Sequence, residues 1–394
     1  MEVRPGCERL IEEAQRLVGG RRWALVAHQA SVTSSGAAVF ERLCADPRTR
    51  PQALLVPEHG LFGEHAYMEP VPHAVDPHLG VPVVSLYGAS QESLAPPESL
   101  LGSLDAVVFD LQDIGARYYT YLATMAILLE VCARRRVQFI LCDRPNPLGL
   151  LAVEGAPPRP HLRSFVSYLE VPHRHGLTAG EAARMHAATA RLDLDLVVLE
   201  CAGLRRAALW PQMGLPFVPP SPNIPDFETA LLYPGLCLLE GTNLSEGRGT
   251  TTPFKVFGAP YLRDPFALAS RLNALSLPGV AFLPLFFVPA ADKWAGVRCG
   301  GARILVLDAA RFHPLCTGLA ILRTVMDLAP DSFAYRTDPY EFVTDRLALD
   351  LLLGDEAIRL ALERAEDPRA IAATFEPAQN AFFQMREPFL LYGD

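Results

Sequence analysis

The chain has 394 residues, half of them hydrophobic and 20% charged, which supports two packed cores and excludes a disordered or fibrous chain. Its 35 Lys and Arg against 44 Asp and Glu leave a formal charge of −9, with no basic run beyond Arg134-Arg135-Arg136, so a nucleic-acid partner is excluded on charge. No stretch approaches the roughly 18 apolar residues of a membrane span, and Met1-Glu2-Val3-Arg4-Pro5-Gly6 shows no basic-then-apolar export pattern; the expectation is a cytoplasmic protein with no membrane insertion.

In chain order, a helix is predicted over 7–17, closed by Gly19-Gly20, then a strand over 23–27 and a helix over 36–44. Strands follow at 53–56, 83–86, 106–111, 137–142 and 194–199, with helices at 119–134 and 179–189. Thr178 with Glu181 three residues on makes a capping box for the last of these. Alternating strands and helices predict a Rossmann-like, mainly parallel sheet domain over 1–240. From about 210 to 253 the pattern becomes irregular, rich in proline and glycine. A helix over 265–275, strands over 280–288 and 302–307, and helices over 317–328 and 345–353 then predict a second, smaller α/β domain over 241–394 that completes the cleft.

The eight cysteines include no C-x-x-C pair and several sit in apolar runs such as Phe139-Ile140-Leu141-Cys142, a pattern of buried free thiols rather than disulfides or a structural metal. No phosphate-loop or dinucleotide G-x-G-x-x-G motif is present, so neither a nucleotide cofactor nor any other is predicted. Only Lys255 and Lys293 are lysines.

Polar residues cluster just after the apolar strands: Pro57-Glu58-His59-Gly60, Gln112 to Arg117, and Asp143 to Pro147. Ligands of open α/β sheets bind outside the carboxyl ends of the strands, so these loops are expected to line one crevice. A partly desolvated Glu58 would suit a general acid for glycosidic-bond cleavage, with His59 tuning it; the bland alternative is a pair that closes a turn. Glu64 is either a second carboxylate or a surface residue. Asp110 and Asp113 are candidate ligand contacts or turn caps. Arg117 with Tyr118-Tyr119-Thr120-Tyr121 combines a carboxylate-binding fork with sugar-stacking rings and suggests an acidic sugar. Asp143-Arg144 reads as an internal ion pair. Asn223 between prolines presents an amide. Asn243, Glu246 and Arg248 lie in a glycine-permitted loop that could hold an anion.

The strings PEHG at 57–60, FDLQDIGARYYTY at 109–121, DRPNPLG at 143–149, PSPNIP at 220–225 and YPGLCLLEGTNLSEGRGTTTPF at 233–254 resemble the exo-β-N-acetylmuramidase family of glycoside hydrolases, over nearly the whole chain. The resemblance implies release of N-acetylmuramic acid from the non-reducing end of peptide-free peptidoglycan fragments, with Glu58 as the catalytic glutamate. It implies a saccharide partner whose lactyl carboxylate needs a cation, for which Arg117 and Arg248 are candidates, and Tyr119, Asn223 and Asn243 as pocket residues. Asp110, Asp113 and Glu246 are the anions available as a second group. Departures include His28-Gln29-Ala30 after the first strand and Lys255 after Pro253-Phe254. Two rivals are a metal-dependent hydrolase using Glu58, His59, Asp110 and Asp113, and a muropeptide- or sugar-binding protein without turnover.

Overall fold

A computed structural model describes residues 2–394. Ten strands form two sheets: β1 (Trp23–Val26), β2 (Ala53–Val56), β3 (Ala74–Asp76), β4 (Val81–Ser85), β5 (Ala106–Phe109), β6 (Gln138–Cys142) and β7 (Leu196–Leu199) make the first, and β8 (Val256–Ala259), β9 (Val280–Phe287) and β10 (Cys299–Val306) the second. The first is ordered β3-β4-β2-β1-β5-β6-β7, parallel throughout except for β3 against β4. The second is antiparallel, ordered β8-β10-β9. The predicted α/β class with two sheet domains is therefore what the chain adopts.

β1, β2 and β5 are buried along their whole length, as continuous apolar runs in a sheet covered on both faces should be. The chain runs from β1 outward to β4, then returns to β5 on the other side of β1. Crevices open at such a reversal, outside the carboxyl ends of the strands. The capping box at Thr178 is present, its hydroxyl accepting from the Glu181 N–H at 3.2 Å.

β8 and the helices Glu98–Leu101, Glu356–Glu363, Pro368–Ala373 and Glu376–Arg386 were not among the expected elements, and three further differences have a plain physical reason. The predicted helix over 7–17 breaks into Gly6–Glu12 and Ala14–Leu17. The edge strand β3 is too short and exposed to leave an apolar signature. Within the stretch read as irregular lies a helix, Phe227–Leu236, with Asp226 accepting from the Thr229 N–H at 2.9 Å as its cap. Pro234 and Gly235 mask it in the sequence, yet both serve packing. A Cβ on Gly235 would stand 1.9 Å from the Pro314 carbonyl oxygen, so only glycine lets this helix cross Pro314–Leu328 at that distance. The Pro234 carbonyl, in the last turn of the helix, accepts the Tyr118 hydroxyl.

Candidate active site

After β2 the backbone turns sharply: His59 has φ +75° and Gly60 φ +82°. The His59 Nδ1 lies 2.9 Å from the His65 carbonyl oxygen, closing a loop that brings the chain back over Glu58. Glu58 is 6% exposed. Its Oε1 accepts the Met68 N–H and its Oε2 the Thr120 hydroxyl, each at 3.2 Å. Glu64 is exposed and accepts the Phe62 N–H.

The loop after β5 brings some expected residues to the pocket and turns others into scaffold. Tyr119 lines the pocket, its ring 4.8 Å from that of Tyr121. Asp110 instead makes a bidentate pair with Arg144 at 2.7 and 2.8 Å, both side chains buried. The ion pair expected between Asp143 and Arg144 is thus replaced by one between the ends of neighbouring strands β5 and β6. Asp143 accepts from the Thr178 hydroxyl, the Gly180 N–H and the Tyr392 hydroxyl, and burial pushes its carboxyl up to about 6. Asp113 accepts the Gly115 N–H at 2.7 Å and lies 3.3 Å from the His175 Nε2, away from the pocket wall. Gly115, at φ +84°, leaves room for Asn146, whose Oδ1 a Cβ would approach to 2.4 Å.

Arg117 is also scaffold. It donates to the carbonyls of Ala156 at 2.6 Å and Leu352 at 2.7 Å, and burial pushes its guanidinium down to about 10. Its hydrogen bonds tie the first sheet's loop to helix Ala348–Leu353 of the second domain, so it has no free fork for a substrate.

His28 explains one departure after β1. It is fully buried, with Nδ1 3.2 Å from the Pro220 carbonyl and Nε2 accepting the Gln112 N–H at 3.0 Å. This arrangement requires the neutral ring, and burial pushes its pKa down to about 3. The Tyr121 hydroxyl also donates to Pro220, at 2.9 Å, so the loop carrying Asn223 is fixed to β1 and to the Tyr121–Arg135 helix.

The second domain supplies the opposite wall. Arg248 donates to Glu240 at 2.7 Å, lies 3.2 Å from Glu246, and stands 4.1 Å over the Tyr67 ring. Although burial opposes it, Arg248 holds the Glu240 carboxyl below its ordinary range. Glu246 is bridged to Lys293 at 2.9 Å and lies behind the wall. Asn243 orders the cleft, donating to Ser332 O at 2.8 Å and accepting the Tyr261 hydroxyl at 2.7 Å. Lys255 pairs with Asp226 and Glu228 at 2.6 and 2.8 Å, away from the site.

Three residues of the site carry no signal that the sequence reading used: Arg336, Glu341 and Glu240. Glu240 lies inside a quoted string, but Glu341 and Arg336 sit in an unremarkable stretch. Arg336 forms no ion pair among the described residues; it stands 3.4 Å from the Tyr67 hydroxyl and 3.7 Å from the Met68 sulfur.

Together these walls enclose a narrow floor of about 30 Å³ around Glu58, His59, Tyr119, Glu240 and Glu341. Past Tyr67, Asn223 and Arg248 it opens into a cleft of about 880 Å³ that Asn243, Lys293, Trp294 and Arg336 also line. The floor has room for a water or two and the cleft for a ligand of small-molecule size. Among the described residues no group of three or more His, Cys, Asp and Glu is arranged to hold a metal ion.

Comparison with known proteins gives this cleft its context. The family described as exo-beta-N-acetylmuramidase NamZ matches residues 23–228 through its N-terminal model and 231–392 through its C-terminal model. The chain belongs to this glycoside hydrolase family. The peptidoglycan beta-N-acetylmuramidase NamZ of Bacillus subtilis (strain 168) is 35% identical to this muramidase-family chain over 391 residues, covering 99% of it and 92% of the relative. Two solved structures of DUF1343 family proteins from Bacteroides fragilis NCTC 9343 are similar to it across its whole length. One has TM-score 0.87 at 30% identity, with 99% of that chain covered; the other has TM-score 0.78 at 26% identity, with 100% covered. The two family models meet just at the start of helix Phe227–Leu236, the element that packs on Pro314–Leu328.

Proposed function

We propose that this muramidase-family chain is an exo-acting enzyme that releases N-acetylmuramic acid from the non-reducing end of peptide-free peptidoglycan fragments, with Glu58 as general acid. The observation that carries the reading is the position of Glu58: a nearly buried carboxyl on the floor of a pocket that narrows away from a wide mouth, at the chain reversal of the sheet. Its two hydrogen bonds fix its direction, and the shielding around it suits proton transfer to a leaving oxygen. A pocket with one narrow end suits a substrate entering by its terminus. The free space beside Glu58 is too small for a pyranose, so the ring binds from the wide cleft.

The substrate's lactyl carboxylate calls for a cation, and here the reading moves from Arg117 and Arg248 to Arg336. Arg117 spends its donors on backbone carbonyls and Arg248 on Glu240 and Glu246, whereas Arg336 lines the cleft with only long contacts at 3.3–3.7 Å. An arginine with unspent donors gains most from a carboxylate. His59 holds the loop over Glu58, and Tyr119, Asn223 and Asn243 shape the sugar pocket. We place the activity on recycled fragments inside the cell, a reading supported by eight cysteines that are all free, seven of them buried.

The test is turnover of a muramic acid–glucosamine disaccharide, of its peptide-bearing form, and of the same disaccharide without the lactyl group, by the parent and by Glu58→Gln. The variant is expected to lose roughly 10²–10⁴-fold in kcat with its fold retained. Parental turnover by Glu58→Gln would overturn the assignment.

A further inference from the structure

A second buried carboxyl on the same floor has no part in the reading so far. Glu341 is 3% exposed and lines the narrow end of the pocket with Glu58. It occupies a two-residue turn closed by reciprocal N–H to C=O bonds between Tyr340 and Val343, both 2.9 Å. Its φ is +45° and that of Phe342 is +69°. Positive φ at both central positions is the turn form that selects Asn-Gly, so Glu-Phe occupies it against local preference. Strain of this kind persists where surrounding contacts hold it, and it gathers at functional sites. For Phe342 the contacts are plain: its ring lies 5.6 Å from Tyr87 and 6.1 Å from Phe165. Glu341 has one hydrogen bond among the described residues, from the Tyr87 hydroxyl to its Oε2 at 3.0 Å.

The candidate carboxyls named above, and Glu240 on the same floor, are already committed, while Asp292 and Asp338 line the wide cleft rather than the floor. Asp110 is held by Arg144, Asp113 by Gly115, Glu246 by Lys293 and Arg248, and Glu240 by Arg248 and the Tyr340 hydroxyl. We propose that Glu341 is the second carboxyl group of the reaction, paired with Glu58 on the same buried floor of the pocket. This rests on the reading of Glu58 as the acid. Glu341 acts through Glu58 and is a positioning residue for its proton.

The groups facing Glu341 are Glu58, Glu240, Tyr67, Tyr87, Tyr340 and Arg336. Burial first, and then the Glu58 charge, push the Glu341 carboxyl well above the ordinary range, against the Tyr87 bond and Arg336. A carboxyl held neutral in this way beside a second acid is a store of one proton on the pocket floor. In the reaction, one proton leaves the pair for the glycosidic oxygen. The bond from that oxygen to the anomeric carbon breaks, and its electron pair goes to the oxygen. Water then bonds to the anomeric carbon through its own oxygen and returns a proton to the pair, so one water is consumed and the pair ends as it began.

The test is kcat/KM of the full chain against pH, on the muramic acid–glucosamine disaccharide, for the parent, Glu341→Gln, Glu341→Asp and Tyr87→Phe. Glu341→Gln removes the second group able to hold the proton, so the alkaline limb is expected to move about one pH unit or more toward acid. Glu341→Asp should restore the limb toward its parental position. Tyr87→Phe removes a bond that favours the carboxylate, so its limb should move the opposite way, toward alkali. An alkaline limb left in place by Glu341→Gln overturns the proposal; should that variant not fold, an unmoved or acid-shifted limb in Tyr87→Phe does so. The two readings fail separately. Parental turnover by Glu58→Gln removes both, while an inactive Glu58→Gln beside an unmoved limb in Glu341→Gln removes only this one.

Discussion

Replacing Asp110 by alanine strands a buried guanidinium. Arg144 is 4% exposed as a residue, and its Nε and Nη2 lose bonds of 2.7 and 2.8 Å to the aspartate. What remains is the Val32 carbonyl at 3.1 Å and the Cys7 sulfur at 3.4 Å, neither able to balance the charge. Breaking a buried pair from one side costs about 3–5 kcal/mol, because the uncompensated ion stays out of water. A chain of 394 residues should then melt roughly 4–6 °C lower. Adding Arg144→Leu removes the stranded charge and should recover most of the loss, since an apolar replacement of both partners is close to neutral. The assay is thermal and urea unfolding of parent, single and double variants, with disaccharide turnover measured well below the transitions. Asp110→Ala should keep its KM within about twofold, as the pair only braces β5 against β6 and touches no pocket wall. An unchanged midpoint together with lost turnover would refute the argument, and would return Asp110 to the substrate.

Three further outcomes follow from the same geometry. Arg336→Ala should raise KM for the lactyl-bearing disaccharide about 10–100-fold, the worth of a charge-assisted hydrogen bond, while leaving the lactyl-free analogue unaffected; equal losses on both would place the carboxylate elsewhere. His28 is neutral in the fold, pushed down to about 3 by burial, but takes up a proton below about pH 6.5 once unfolded, so its share of stability is complete above pH 6.5 and is lost as pH falls toward 3. Asp143, held up to about 6, acts in the opposite sense between 6 and its ordinary value. The His28 part is therefore read as the difference between parent and His28→Gln in urea unfolding from pH 7 to 4, expected to change by about 1.4 kcal/mol per pH unit below about pH 6.5, and a flat difference would show that the ring takes up its proton as readily in the fold as in the unfolded chain. Gly235→Ala would drive a methyl into the Pro314 backbone and force two helices apart, with a loss of about 1–3 kcal/mol or more in unfolding experiments; parental stability would mean that the crossing is looser than 1.9 Å implies.

Much of the loop proposed to carry the acid was legible because it obeys a local rule. Strands β1, β2, β5 and β6 are uninterrupted apolar runs, and polar residues placed at their carboxyl ends can only face the crevice or cap the turn. That put Glu58, His59 and Tyr119 near a pocket, and those residues do line its floor. Sequence could not separate crevice from cap, so Asp110, Asp113 and Arg117 were grouped with them. Their partners, Arg144, Gly115 and the carbonyls of Ala156 and Leu352, are chosen by where other segments arrive. Helix Phe227–Leu236 was hidden for a related reason: Pro234 and Gly235 break the usual pattern, and what makes them favourable is a neighbouring helix far along the chain.

The sequence by itself determined the layered α/β architecture, the family to which the chain belongs and the loop that carries Glu58, because periodicity and turn chemistry act over a few residues. Only the tertiary structure decided which charges are spent. Glu341 and Arg336 reach the pocket from more than two hundred residues beyond Glu58, Glu341 on a turn whose positive φ values no Glu-Phe dipeptide would announce. Whether an arginine or a carboxylate is scaffold or tool depends on which partners the fold brings within about 3 Å of it, and that is a property of packing rather than of order along the chain.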